Sequence, residues 1–254
     1  MVKEIHDARV REARAPSWAS SIRDAKEAPR YSIAEAARYL QIPSATLSSW
    51  FAGRQYPVVG GTKDFSPLID RPDKSDPRLS FANLIEAHAL RALRCRYQVP
   101  MRAIRTALDY AESESGIRRL LLSDELRAIP GEVFLQRLDG IVNIGRGGQQ
   151  AIKGILEMFL QRIDRDGHGA PLRLFPFTRP PEQIADRESP RLVLIDPQIA
   201  SGRPILSSKA IRTATVADRF TAGESISELA SDYGLTAPEI EEAIRYERPK
   251  QIAA

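Results

Sequence analysis

Three Ser/Thr-x-x-Glu tetrads that open directly onto an apolar helical face punctuate this chain, at Ser32 and Glu35, Ser225 and Glu228, and Thr236 and Glu239. Each pattern fixes a helix start, because the hydroxyl accepts the N3 backbone N–H while the glutamate reaches back to the N-cap N–H. The last two stand close together with Gly234 between them. Ile226, Leu229, Ala230 and Tyr233 give the first of these helices an apolar face, and Ile240, Ala243 and Ile244 give one to the second. A preceding helix carries Val216, Ala217 and Phe220 and is closed by Gly223. Short helices turned so tightly can bury their stripes only against one another, which predicts a compact helix-turn-helix.

The first tetrad opens a second such unit. Ile33, Ala36, Ala37 and Leu40 share one helical face, and Gln41-Ile42-Pro43 breaks the helix. Ser44 is the expected N-cap of a following helix that buries Leu47, Trp50 and Phe51. Ala45, Thr46, Ser48, Ser49 and Ala52 are left outward, an outer face of small and hydroxyl residues that can approach a nucleic-acid groove. Gly53 ends the helix, and the segment from Arg54 to Lys63, with Gly60-Gly61 between β-prone pieces, predicts a hairpin wing. A helical hairpin that serves only to pack is the alternative. An amphipathic helix is expected over 80–94 and another from Pro100, at its first position.

The order of these elements resembles the MerR-type winged-helix domain over residues 31–113. The resemblance implies that the second helix enters the major groove of DNA, that the wing grips the backbone and that the later helices brace it. It makes Ser44, Thr46, Ser48, Ser49, Arg54 and Lys63 the DNA-facing candidates, and it implies a homodimer on palindromic operator double-stranded DNA. Metal- and thiol-sensing members use several cysteines; here Cys95 stands alone on an apolar helix, where a packed thiol is expected.

Residues 1–30 are expected as a flexible arm, broken by Pro16 and Pro29, and 114–177 as a small α+β middle region that contributes to dimerisation. Within it, Asp139-Gly140 between apolar runs predicts a β-hairpin. Gly145-Arg146-Gly147-Gly148 reads as a strand-to-helix connector, since the Walker Gly-Lys-Ser/Thr ending is absent. A helix burying Ile152, Ile155, Leu156, Phe159, Leu160 and Ile163 follows, then a strand at 172–177, and 178–190 is a Pro- and charge-rich linker. Residues 191–248, entered by the strand Arg191-Leu192-Val193-Leu194-Ile195, resemble the small winged-helix module of VapB-like antitoxins, whose partners are PIN-type ribonuclease toxins. By that resemblance Arg203, Lys209 and Arg212 are the toxin-binding candidates, able to pair with an acidic metal site. Ser208-Lys209-Ala210-Ile211 departs from the related Gly-Thr-Arg-Ile. Glu239, Glu241, Glu242 and Glu247 are expected to form an exposed acidic face on the last helix, better suited to protein than to DNA. Cutting the chain after Pro190 is expected to remove toxin binding and spare operator binding.

Charge is unevenly spread. Arg78 to Arg119 holds eight arginines against four acids, and 214–248 holds three basic residues against eight acids. The first segment attracts a phosphate backbone and the second repels it. His6, His88 and His168 are far apart in sequence, and Asp196, Asp218 and Asp232 read as caps or solvated carboxylates, so neither catalysis, a metal nor a cofactor is expected. No apolar run is long enough for a membrane helix, no signal peptide is evident, and a single cysteine fits the cytoplasm.

The expected fold class is mainly α with small β elements: two winged helix-turn-helix modules joined by a small α+β middle region. The expected function is an antitoxin of a type II system that neutralises a PIN-type ribonuclease and represses its own operon. A stand-alone MerR-like regulator with a ligand-sensing C-terminal half is the alternative.

Overall fold

The computed structural model describes residues 25–58, 61–95, 98–143, 145–179 and 190–248. The first 24 residues of the expected arm lie outside the described residues. The rest of that arm is docked: the Arg30 and Tyr31 N–H groups donate to the Leu79 carbonyl at 2.8 and 2.9 Å. The Arg30 guanidinium donates to the Pro197 carbonyl at 2.5 Å.

The chain continues as α1 (Ile33–Leu40), α2 (Ser44–Ala52), the hairpin β1 (Arg54–Val58) and β2 (Gly61–Phe65), α3 (Phe81–Cys95) and α4 (Met101–Ser115). A 3-10 turn at Asp124–Arg127 leads to α5 (Ile129–Val142) and α6 (Gly145–Leu160), then β3 (Ile163–Arg165) and β4 (Pro171–Leu174). The expected linker lies outside the described residues over 180–189; after it come β5 (Val193–Leu194), β6 (Ile205–Leu206), α7 (Thr213–Thr221), α8 (Ile226–Tyr233) and α9 (Ala237–Glu247). The strands make separate two-stranded antiparallel sheets. The fold is therefore mainly helical with small β elements, as expected.

One continuous apolar core runs from Tyr31 to Ile195 and a second, from Leu206 to Ile244, belongs to α7–α9. The expected division at residue 113 is not a core boundary, because α4 packs along α5. Helix α3 is the axis of the first core. Ser80 through Leu90 are all buried, so the helix is not amphipathic in the expected sense: its polar stripe faces inward. Glu86 accepts the Arg119 Nε and Nη2 groups, both at 2.8 Å, and the Asn83 Nδ2 at 3.0 Å. His88 is covered by Phe159 and Phe177. Cys95 lies at the end of α3, and its side chain lies outside the described residues.

The middle region departs from the expected hairpin. Residues 132–142 are helical, within α5, and bury Gly131, Phe134, Leu135 and Leu138 along one stripe. That stripe has the period of a helix and a face waiting on α4, so tertiary packing overrides the local turn preference of Asp139-Gly140. Gly145–Gly148 is the first turn of α6 rather than a strand-to-helix connector. Asn143, in the left-handed conformation (φ 52°), caps α5, and the Asp139 carboxylate accepts the Gly145 N–H at 2.7 Å. Ile152, Leu156, Phe159 and Leu160 line the buried side of α6, as their spacing predicts.

All three capping boxes form. The acidic face expected on α9 does not. Glu242 is buried and accepts from the Thr178 hydroxyl and Arg245, and Glu247 is held by Arg38 and by Thr213 Oγ1 at 2.5 Å. Glu239 closes its own capping box and meets Ser208. The acids of α9 are mostly internal partners, and Glu241 is the one left exposed.

Candidate nucleic-acid interface

Helices α1 and α2 are held as a pair by apolar burial. Ala36, Ala37 and Leu40 of α1 and Leu47, Trp50 and Phe51 of α2 are all at or below 4% exposure. Each large side chain contributes about 1.5–3 kcal/mol when removed from water. The N-cap of α2 is Pro43, with no side-chain cap; Ser44 is the first helical residue, so its hydroxyl is not the expected cap. Ser44, Ala45 and Ala52 are exposed and Thr46, Ser48 and Ser49 half-buried, so the outer face of α2 is short, hydroxylated and free of charge. The Ser49 hydroxyl donates to the Thr46 carbonyl at 2.7 Å, leaving its lone pairs for a donor.

The wing is tied back to this helix. Gly53 has a left-handed φ of 69°, and a side chain there would collide with the Phe65 carbonyl. Arg54 lies opposite Phe65 and Tyr56 opposite Lys63 in the hairpin. Beyond it, the Leu68 and Ile69 N–H groups donate to the Trp50 carbonyl at 2.8 and 3.1 Å. The Lys63 side chain lies outside the described residues; Arg54 is exposed beside the end of α2.

Arginines from α3 and α4 support the pair. Arg105 donates to the carbonyls of Ser66 and Pro67 at 2.6 and 2.7 Å and lies over the Phe65 ring. Arg91 donates to the Leu40 carbonyl at 2.6 Å, at the C-terminus of α1. Arg94 donates to the Val99 carbonyl at 2.7 Å. Its pKa is lowered first by burial and second by the like charge of Arg54, which places both guanidinium groups in one positive field beside the wing. The arginine surplus over 78–119 was the sequence signal for these residues, but not for their bracing role.

The C-terminal module rests on the opposite side of α1. The Tyr246 hydroxyl, buried, donates to the Tyr39 carbonyl at 2.9 Å, and Glu247 pairs with Arg38. Arg203 Nη1 meets Glu35 Oε1 at 2.8 Å. The two modules thus share a seam, so a cut after Pro190 strips α1 of all three contacts and is not expected to spare the N-terminal unit. Arg203 faces this seam. Lys209 and Arg212 are exposed on the loop between β6 and α7, where Lys209 lies near Gly234 and Glu239. Asp196 is buried, accepting Arg173 Nε at 3.1 Å and the Gln198 N–H at 2.8 Å, a structural cap as expected. Among the described residues no cluster of three or more His, Cys, Asp or Glu could hold a metal, and no helix is long and apolar enough to cross a membrane.

A helix pair with an uncharged outer face, a hairpin wing and bracing arginines defines a helix-turn-helix protein. Residues 29–108 match a family described as "Putative DNA-binding HTH domain", and residues 193–246 match a family described as "Protein of unknown function (DUF433)". The chain is 33% identical over 235 residues to the "Putative antitoxin VapB45" of Mycobacterium tuberculosis, spanning 86% of this chain and 93% of that protein. It belongs to the family of that antitoxin. It is also 26% identical over 232 residues to the uncharacterized protein Rv2308 of the same organism, spanning 88% of this chain and 92% of that one. The crystal structure of Rv2018 from M. tuberculosis superposes with a TM-score of 0.59 at 27% identity, over 85% of this chain and 97% of that one.

Proposed function

We propose that this chain is the antitoxin of a toxin–antitoxin pair: a homodimer that binds operator DNA through α2 and the wing, represses its own operon, and neutralises a PIN-type ribonuclease through its C-terminal module. The observation that carries the reading is the near full-length similarity to an antitoxin together with the uncharged outer face of α2 beside exposed Arg54. In this reading Thr46, Ser48 and Ser49 are assigned to base edges and Ser44, at the start of the helix, to a phosphate. Arg54 and Lys63 are assigned to the backbone.

Replacing Arg54 and Lys63 by alanine should weaken binding to every duplex alike and lower the salt slope by about 1 for each phosphate no longer neutralised. Replacing Thr46 and Ser48 should instead change which duplex is preferred. Fluorescence anisotropy across a salt series reads both, and unaltered affinity in all four variants would dismiss this interface.

Neutralisation is assigned to the module that carries Arg203, Lys209 and Arg212. A Lys209→Ala/Arg212→Ala double variant should bind the partner ribonuclease that this reading assigns about 10-fold more weakly while folding normally, since both side chains are exposed. Measured by titration calorimetry, undiminished affinity would move the contact elsewhere, and a partner harmless on its own in cells would remove the antitoxin reading altogether. One feature favours the ligand-sensing alternative: an open cleft of about 360 Å³ lined by Phe220, Ile226, Glu241, Ile244, Arg245 and Arg248.

A further inference from the structure

The helices of the C-terminal module enclose an open cleft of about 360 Å³, within the range of small-molecule sites, about 300–1,000 Å³. Each helix gives it one apolar side chain: Phe220 near the end of α7, Ile226 at the start of α8 and Ile244 on α9. Phe220 and Ile226 are only partly buried against the second core, because a unit this small cannot cover all of its apolar surface. The polar lining comes from one stripe of α9 and its cap, Glu241, Arg245 and Arg248, spaced i, i+4 and i+7. These three charges are not equivalent. Arg245 is held by buried Glu242. Arg248 is exposed, lies over the Phe220 ring at 5.4 Å and makes no ion pair among the described residues. Glu241, about 10 Å back along the helix, is exposed and likewise makes none.

We infer that this cleft binds a small amphiphilic monoanion, its carboxylate on Arg248 and its apolar body on Phe220, Ile226 and Ile244. The charges at the two ends of the cleft select this chemistry. A ligand made only of charge, such as a phosphate backbone, gains nothing from a floor that is apolar on all three helices. Glu241 opposes a second negative charge at the far end. What fits is a single anionic head on an uncharged body about 10 Å long, the span from Arg248 to Glu241. Arg248 suits that head. Its guanidinium rests on an aromatic face and keeps its planar fork of donors for a carboxylate. Glu242 and Tyr246, on another stripe of α9, carry the contacts to Thr178 and Tyr39, so a ligand enters the cleft without opening the seam with α1. The site does not depend on the antitoxin reading, since a ligand here can act on an antitoxin and on a stand-alone regulator alike.

Titration calorimetry of the full chain with decanoate and with decyltrimethylammonium, both below their micellar concentrations, tests head and body together. Decanoate should bind at a single site per chain, about fivefold more tightly than the cation. Arg248→Ala should weaken decanoate about fivefold, the upper end for an exposed ion pair, and Glu241→Gln should tighten it about twofold. Arg248→Glu should reverse the preference between the two amphiphiles. Both positions are exposed, so these variants fold as the parent does. Butyrate, with the same head and little body, should bind more than about tenfold more weakly than decanoate. Bound decanoate should slow backbone hydrogen exchange in 220–226 and 241–248 and leave 33–52 unchanged. Equal affinity for the two amphiphiles, or undiminished decanoate affinity in Arg248→Ala and Arg248→Glu, would overturn the proposal. A chain ended at Arg248 should bind decanoate as the parent does; a tenfold gain would make residues 249–254 the occupant and overturn it as well. Neither DNA nor a ribonuclease enters these measurements, so their outcome and that of the antitoxin reading are separate.

Discussion

Arg119→Ala should destabilise the protein by about 3–5 kcal/mol, the cost of leaving a buried charge without its partner. Glu86 is 4% exposed at the centre of α3, and Arg119 covers both of its oxygens from the segment beyond α4. Burial already raises the Glu86 pKa, with Arg119 the leading opposing influence, followed by Asn83. Without Arg119 the carboxyl must stay charged at high cost or take up a proton. A raised folded-state pKa means that the folded form binds that proton more tightly than the unfolded chain. The deficit of Arg119→Ala is therefore largest above the raised pKa and shrinks as the pH falls below it. The second partner of Arg119, Glu27, is 43% exposed and adds little. Urea unfolding at pH 7.5 and 5.0 reads the effect, and a double replacement of Glu86 and Arg119 by apolar residues should recover most of the loss. A loss under about 1 kcal/mol, unchanged between the two pH values, would show that water reaches Glu86.

The second large effect is acid sensitivity arising from His88. The ring is 1% exposed, stacked on Phe177 and tilted against Phe159, with Nε2 at 3.0 Å from the Phe159 carbonyl. Burial pushes its pKa down to about 3, and the positive charges of Arg91 and Arg162 act in the same direction. The unfolded chain takes up this proton near pH 6.5, whereas the folded chain refuses it until about 3. Stability is thus intact above pH 6.5 and falls by about 1.4 kcal/mol per pH unit below it, a loss of several kcal/mol before the folded pKa is reached. Glu35, Glu228, Glu239 and Asp166 have lowered pKa values and lose their contributions only at more acid pH. Glu86, whose pKa is raised, shifts stability the other way as the pH falls, so the histidine's share between 6.5 and 5 is the difference in slope between the parent and His88→Gln. His88→Gln should be less stable at pH 7.5 yet show a flatter slope over that interval, measured by urea midpoints. An unchanged slope would mean that His88 is hydrated and titrates normally.

These two effects, like the Arg203–Glu35 pair, come from polar side chains of ordinary appearance in the sequence. Asn83 and Glu86 fall at a spacing that reads as the solvated edge of an amphipathic helix; only the arrival of Arg119, after a further helix and a turn, turns that edge inward. Glu242 and Glu247 read as an acidic surface for the same reason, until Thr178 and Arg38 meet them from distant parts of the chain. Asp139-Gly140 has strong local turn character, and the helix it joins prevails because Phe134, Leu135 and Leu138 find α4 to pack on.

What the sequence determined by itself is what short-range chemistry decides. The three capping boxes, the glycine ends, the helical spacing of Leu47, Trp50 and Phe51 and the β-prone arms of the wing involve residues a few positions apart, and each forms where local spacing puts it. The helix-turn-helix character follows from those elements, whereas the DNA-facing candidates come from the resemblance to MerR-type domains. Tertiary structure decided which charges are surface and which are internal ligands, because burial and pairing depend on partners tens to hundreds of residues away. It also decided that the two modules meet on α1, so that the residue read as a contact for another protein, Arg203, first makes a contact within its own chain.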